Sequence, residues 1–253
     1  MQIFMPDTSA LILLAAVFLC IAYCSASVGL GGGSCYTALL AVSGAAPLAI
    51  PLISLSLNLV VTSAGSYQFT KHRHVSWKLI APFLVTSMPM AYLGGSLQLP
   101  KPLFYGILFA SLSIVVLRIF FFKKTSFSWE LKGWKRIGVS LFSGALLGFI
   151  AGVVGIGGGI YLVPLIIIFG LGTEKQAAAS GAIFIWMNSI IGLIARVQYH
   201  SISIENYIPL IIAVAAGGML GAWLGATRLK PQTMQKILGA VIIVALCLLT
   251  QKF

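Results

Sequence analysis

The sequence predicts an all-α polytopic membrane protein built from two inverted-topology repeats, with eight to ten membrane segments that include broken or re-entrant half-helices. Three observations predict it. Of 253 residues, 59% are hydrophobic and only 8% are charged. A soluble domain carries about a quarter charged residues, so this chain cannot clothe a water-facing surface. Long apolar runs recur without ten-residue alternation, which selects helices over a barrel as the structure that satisfies backbone polar groups in lipid. Finally, a glycine cluster interrupts an apolar run near the start of each half. The composition also excludes disordered, collagen-like and disulfide-rich secreted chains.

Apolar stretches run over about 10–28, 34–44, 47–70, 78–98, 103–122, 137–154, 160–170, 177–197, 207–227 and 234–250. Met1–Thr8 contains no Lys or Arg, so the basic region of a secretory signal is missing. Asp7-Thr8-Ser9 reads instead as a helix start, and the first span is expected to be retained. A helix of roughly 20 residues crosses the hydrocarbon core. Stretches 34–44 and 160–170 are too short to cross, and each follows a glycine cluster; they read as half-helices.

The clusters expose an internal repeat. Gly29-Leu30-Gly31-Gly32-Gly33 matches Gly155-Ile156-Gly157-Gly158-Gly159 at an offset of 126. Asn58 and Gln68 match Asn188 and Gln198 at 130, Val75-Ser76 matches Ile202-Ser203 at 127, and Pro100 matches Pro231 at 131. One transmembrane repeat therefore spans 1–122 and the other 137–253, joined by a basic cytoplasmic linker over 123–136. Positive charge orients them. Lys71, Arg73 and Lys78 mark one cytoplasmic connection, and Arg228, Lys230 and Lys236 mark another, whereas 98–102 and 196–206 are nearly neutral. Equivalent connections thus fall on opposite sides of the membrane. Five segments per half fit this inversion.

The net charge is +12, and the four acids, Asp7, Glu130, Glu174 and Glu205, all lie in or beside polar connections. Cation carriers and proton pumps keep carboxylates in the membrane, so an acid-free core points to an anion. The four cysteines include no CxxC, and no HExxH, GxSxG or paired carboxylate occurs. No metal site, catalytic residue, cofactor or nucleic-acid partner is therefore expected, and the chain reads as a non-enzyme.

Glycine runs make poor helix, at about 1 kcal/mol each relative to Ala, and broken backbone at membrane depth needs protein or water around it. A helix that starts at such a break aims free N–H groups and a positive dipole end at the gap. Gly31, Gly32, Gly33, Gly157, Gly158 and Gly159 are accordingly read as substrate-binding. By contrast, Gly144, Gly148 and Gly152, like Gly217, Gly221 and Gly225, form small-residue stripes for helix packing.

The duplicated GxGGG element, the Asn–Gln pair ten residues apart and the basic mid-chain linker resemble the TauE/SafE sulfite-exporter-like permeases over nearly the whole chain. The resemblance implies a prokaryotic inner-membrane, multi-pass transporter of sulfur-containing anions such as sulfite or organosulfonates. Alternating access between inverted repeats is the expected mechanism. An anion channel or uniporter, or an uptake permease for another organic anion, is the alternative. Neither the anion nor the oligomeric state is fixed, and a homo-oligomer is open.

Individual residues refine this reading. Asn58 and Asn188, amides inside apolar runs, are either interhelical glue or donors to a sulfonate oxygen. Ser34, Cys35 and Tyr161 follow the clusters and are expected to line the site. Gln68 and Gln198 are candidate gate residues. Arg196 either snorkels to the interface or draws anions to one mouth. Trp77, Trp129 and Trp134 suit an interfacial belt.

Overall fold

Backbone polar groups in lipid must be satisfied within the segment, so the apolar runs have little choice but helix. A computed structural model describes residues 8–27, 30–71, 73–121, 133–199, 207–228 and 231–250, with side chains except at 8–11, 121, 223–228 and 231–235. Ten helices cover these residues: α1 (Thr8–Ser27), α2 (Gly33–Val42), α3 (Ala49–Lys71), α4 (Trp77–Ser96), α5 (Lys101–Phe121), α6 (Gly133–Val154), α7 (Gly159–Ile168), α8 (Glu174–Tyr199), α9 (Ile208–Arg228) and α10 (Pro231–Leu249). Each expected apolar stretch has its helix, within a few residues. Among the described residues α3, α4, α5, α6 and α8 are long and apolar enough to cross a membrane, and the other helices are apolar as well. The protein is thus an all-α, multi-pass membrane protein.

The two short runs are the short helices α2 and α7, ten residues each. At 1.5 Å per residue each is about 15 Å long, half a bilayer. Most of the basic linker, residue 29, His72 and the 200–206 connection lie outside the described residues. Helix α6 begins at Gly133, a turn earlier than the expected boundary at 137.

Packing interleaves the halves of the chain. Helix α1 packs on α9, and α6 on α4; α3 joins the first pair and α8 the second, and α3 meets α8 in the middle. Each three-helix group therefore draws on both halves. The glycine stripes make these contacts. A Cβ on Gly144 would sit 2.5 Å from the Phe83 carbonyl oxygen, and one on Gly148 or Gly152 would overlap the Ser87 or Ala91 carbonyl. Gly217 and Gly221 press in the same way on Leu19 and Tyr23 of α1. Gly148→Val should therefore force α4 and α6 apart and cost about 1–3 kcal/mol of stability; thermal unfolding in detergent measures it.

Phe142 is 73% exposed, Met219 68% and Leu13 68%. Apolar side chains this open suit a lipid-facing rim. At the start of α8, Thr173 and Gln176 cap each other's backbone: the Thr173 N–H donates to the Gln176 Oε1 at 3.0 Å, and the Gln176 N–H to the Thr173 hydroxyl at 3.3 Å. This is a capping box. Thr173→Ala should cost about 1 kcal/mol, read as a lower unfolding midpoint with transport retained.

Candidate functional site: two helix starts around Asn58

Helices α2 and α7 begin on glycines because the chain turns there through left-handed backbone, which side chains disfavour. Gly32, the N-cap of α2, has φ 82°, and Gly158, the N-cap of α7, has φ 77°. Gly155 and Gly157 also lie in this region, at 83° and 82°. Neither N-cap carries a side-chain cap. The first N–H groups of each helix, on Gly33 and Ser34 and on Gly159 and Ile160, have no intrahelical acceptor. The ladders start one residue later, with the Cys35 N–H on the Gly32 carbonyl at 3.0 Å and the Tyr161 N–H on the Gly158 carbonyl at 3.1 Å.

The two breaks meet. A Cβ on Gly33 would stand 2.6 Å from the Ile156 carbonyl oxygen. Between them sits Asn58 of α3, fully buried, its Nδ2 donating to the Gly155 carbonyl at 3.2 Å. The same amide lies against Gly31, Gly33 and Gly157. Its Oδ1 has no partner among the described residues. The Ser54 hydroxyl, one turn earlier, reaches the Gly155 carbonyl at 2.9 Å and the Gly33 carbonyl at 3.2 Å. Two residues of α3 thus tie the start of α2 to the end of α6.

A crevice opens beside this junction. It is lined by Leu30, Gly31, Gly32, Gly33 and Ser34 on one side and by Ile156, Ile160, Ile185 and Leu238 on the other, with about 270 Å3 of atom-free space including its mouth. One wall is glycine backbone and Ser34 backed by Asn58; the other is aliphatic. No carboxylate lines it among the described residues. The Gly33, Ser34 and Ile160 N–H groups, without acceptors in their own helices, give it two positive helix ends and no formal charge among the described residues, an arrangement suited to a small anion.

Several expected site residues lie elsewhere. Asn188 is buried, but its Nδ2 donates to the Phe184 carbonyl of its own helix at 2.9 Å. The reason is register. Gly65 faces Ala182 and Gly192 faces Leu55, so α3 and α8 correspond at an offset of 127 rather than 130. The counterpart of Asn58 is then Ile185, which lies against Gly31, Gly157 and Gly159. Asn188 is three residues further on, about 4.5 Å along the helix and 60° around it. The Tyr161 hydroxyl donates to the Ser111 carbonyl of α5 at 2.7 Å. Cys35 is fully buried with its thiol 3.6 Å from the Leu238 carbonyl, facing α10. Gly158 packs on the Phe184 ring, and Gly159 on Ile185.

Gln68 and Gln198 are exposed at the ends of α3 and α8, and the Gln198 Oε1 accepts from the Tyr92 hydroxyl at 2.8 Å. Arg196 does not snorkel. It is 2% exposed, and its Nη2 donates at 2.8 Å to both the Gly152 and Val153 carbonyls in the last turn of α6. Trp77 and Trp134 are exposed, as an interfacial position requires, and Trp129 lies outside the described residues. In sequence Ser54 stands out only as a polar neighbour of Asn58, and Ile156 and Ile160 only as members or followers of the second glycine cluster, while Ile185 and Leu238 do not stand out by residue type. The Gly65/Gly192 pair at 127 was the signal that would have found Ile185.

Apolar helices in membrane-spanning number, folded around a crevice where two helices start on glycine, define a polytopic membrane protein. Residues 14–249 match the family described as Sulfite exporter TauE/SafE, and the chain belongs to that family. It is 36% identical over 242 residues to the "Probable membrane transporter protein y4hK" of Sinorhizobium fredii (strain NBRC 101917 / NGR234), covering 94% of this chain and 97% of the relative. It is also 22% identical over 233 residues to the "Probable membrane transporter protein YjnA" of Bacillus subtilis (strain 168), covering 86% and 91%. No solved structure matches the chain.

Proposed function

We propose that the protein exports a small sulfur-containing anion, sulfite or an organosulfonate, across a prokaryotic inner membrane. The observation that carries this reading is the convergence of two uncapped helix starts on Asn58 in a core without carboxylates. Ser34 and the free N–H groups would hold the oxyanion head, and Ile156, Ile160, Ile185 and Leu238 would receive any hydrocarbon part. The alternation of helices between halves, α1 with α9 and α6 with α4, supports a pair of inverted repeats, 1–122 and 137–253, about the α3–α8 contact. In that reading the three-helix groups rock against each other and expose the crevice to either side in turn. A membrane potential negative inside drives an anion outward, at about 2.3 kcal/mol per charge per 100 mV.

The test is efflux of sulfite and of ethanesulfonate from proteoliposomes holding a potassium–valinomycin potential. Export of a monoanion predicts efflux that speeds up when the inside is made negative and stops in protein-free vesicles. Flux indifferent to the potential contradicts electrogenic transport. Flux far above carrier turnover, without counterflow, contradicts alternating access and assigns a channel.

A further inference from the structure

We propose that Arg196 and the crevice beside it form a second anion site, external to the glycine crevice, that takes the singly charged oxyanion head of the departing substrate. This rests on the export reading above. Arg196 is the one formally charged side chain among the buried described residues. Its Nη2 is used by the Gly152 and Val153 carbonyls, but its buried Nε has no partner among the described residues. A guanidinium presents five N–H donors, and a buried cation left short of acceptors is costly. Glu174, the one acid among the described residues, stands at the far end of the same helix, about 33 Å away. The carbonyl dipoles at the end of α6 offset part of the charge; an oxyanion would complete it.

A crevice adjoins the guanidinium. Pro47, Leu48, Leu97, Leu99 and Phe104 surround Arg196 in a crevice with about 240 Å3 of atom-free space, its mouth included. The side chains that line it are apolar apart from the guanidinium. One positive charge in such walls matches one negative charge, because a dianion would leave a desolvated excess. The side follows from charge and chain order. The connection 71–76 between α3 and α4 carries Lys71 and Arg73 and is cytoplasmic by the positive-inside rule. The α2–α3 turn at 43–48 and the α4–α5 connection at 97–100, both of which wall the crevice, then lie at the opposite, external ends of α3 and α4. Val153 of this crevice precedes Ile156 of the central one by three residues, a span of at most about 10 Å. An anion leaving the helix starts would meet Arg196 next.

The experiment is calorimetric titration of ethanesulfonate into the purified chain in nanodiscs. Two sites per chain are expected. Leu99→Trp fills the outer crevice while keeping the Arg196 cap on α6, and it should remove one site with the unfolding midpoint held. Arg196→Lys keeps the charge but not the planar fork, and it should weaken the same site about tenfold or more. A single wild-type site, no binding at all, or two sites untouched by both variants overturns the proposal. Failure of the export reading looks different: binding that is sensitive to Leu99→Trp persists, and proteoliposomes move neither sulfite nor ethanesulfonate.

Discussion

Asn58→Ala is expected to cut transport about tenfold or more, while Asn188→Ala leaves it within about twofold. The two asparagines look equivalent in sequence, but only Asn58 touches both glycine breaks. Losing its amide releases the tie between the breaks and unseats the N–H groups that would hold the anion, and a hydrogen bond to a charged group contributes about 1.5–3 kcal/mol, or about ten- to hundredfold in affinity. Removing the amide also leaves the Gly155 carbonyl with one donor fewer. Asn188 spends its donor on its own helix, so its loss touches no groups shared between the breaks. Initial rates of labelled anion flux, normalised to protein in the membrane, separate the two. Equal losses in both variants would mean that the register of 127 is not the one that matters for function.

Gly155→Ala and Gly33→Ala are expected to damage the protein most. At Gly155 a side chain meets two obstacles. The residue sits at φ 83°, where a Cβ costs about 1–2 kcal/mol, and that Cβ would stand 2.6 Å from the Pro51 Cα, which is backbone and cannot swing away. With overpacking of about 1–3 kcal/mol added, Gly155→Ala should fall well below wild type in unfolding midpoint and in yield. Gly33→Ala acts on the junction itself, because its methyl meets the Ile156 carbonyl oxygen at 2.6 Å and overlaps the Asn58 amide. It should separate the two helix starts and abolish flux even where the chain still inserts. Gly106 of α5 is the control. Nothing lies within 4 Å of a Cβ there, so Gly106→Ala should be neutral or stabilise by up to about 1 kcal/mol. Unfolding midpoints for the three variants, measured together, give the ranking.

The ten-segment helical architecture was legible because hydropathy and glycine act locally: runs too short to span a bilayer must stop, and glycine clusters say where. The starts of α2 and α7 at Gly33 and Gly159 were readable for that reason. Pairing between helices is a tertiary choice and was not. Matching Asn58 to Asn188 by residue type gave an offset three residues too long, since one more helical turn costs nothing in a sequence comparison but rotates a side chain off the crevice. Tyr161 and Cys35 follow the clusters directly, yet the helix turns them onto α5 and α10. Arg196 near a span end suggests snorkelling on length alone. Only packing shows that the end of α6 lies within its reach.

Selenite, an electron-rich relative of sulfite, offers the most direct measurement. Anomalous diffraction from crystals of the chain soaked in it would locate selenium without reference to any proposed site. A peak is expected within hydrogen-bonding reach of the Gly33, Ser34 and Ile160 N–H groups, beside Asn58, and lost in Asn58→Ala. Selenite transport with no density between the two helix starts, or with a peak that ignores the Asn58 substitution, would contradict it.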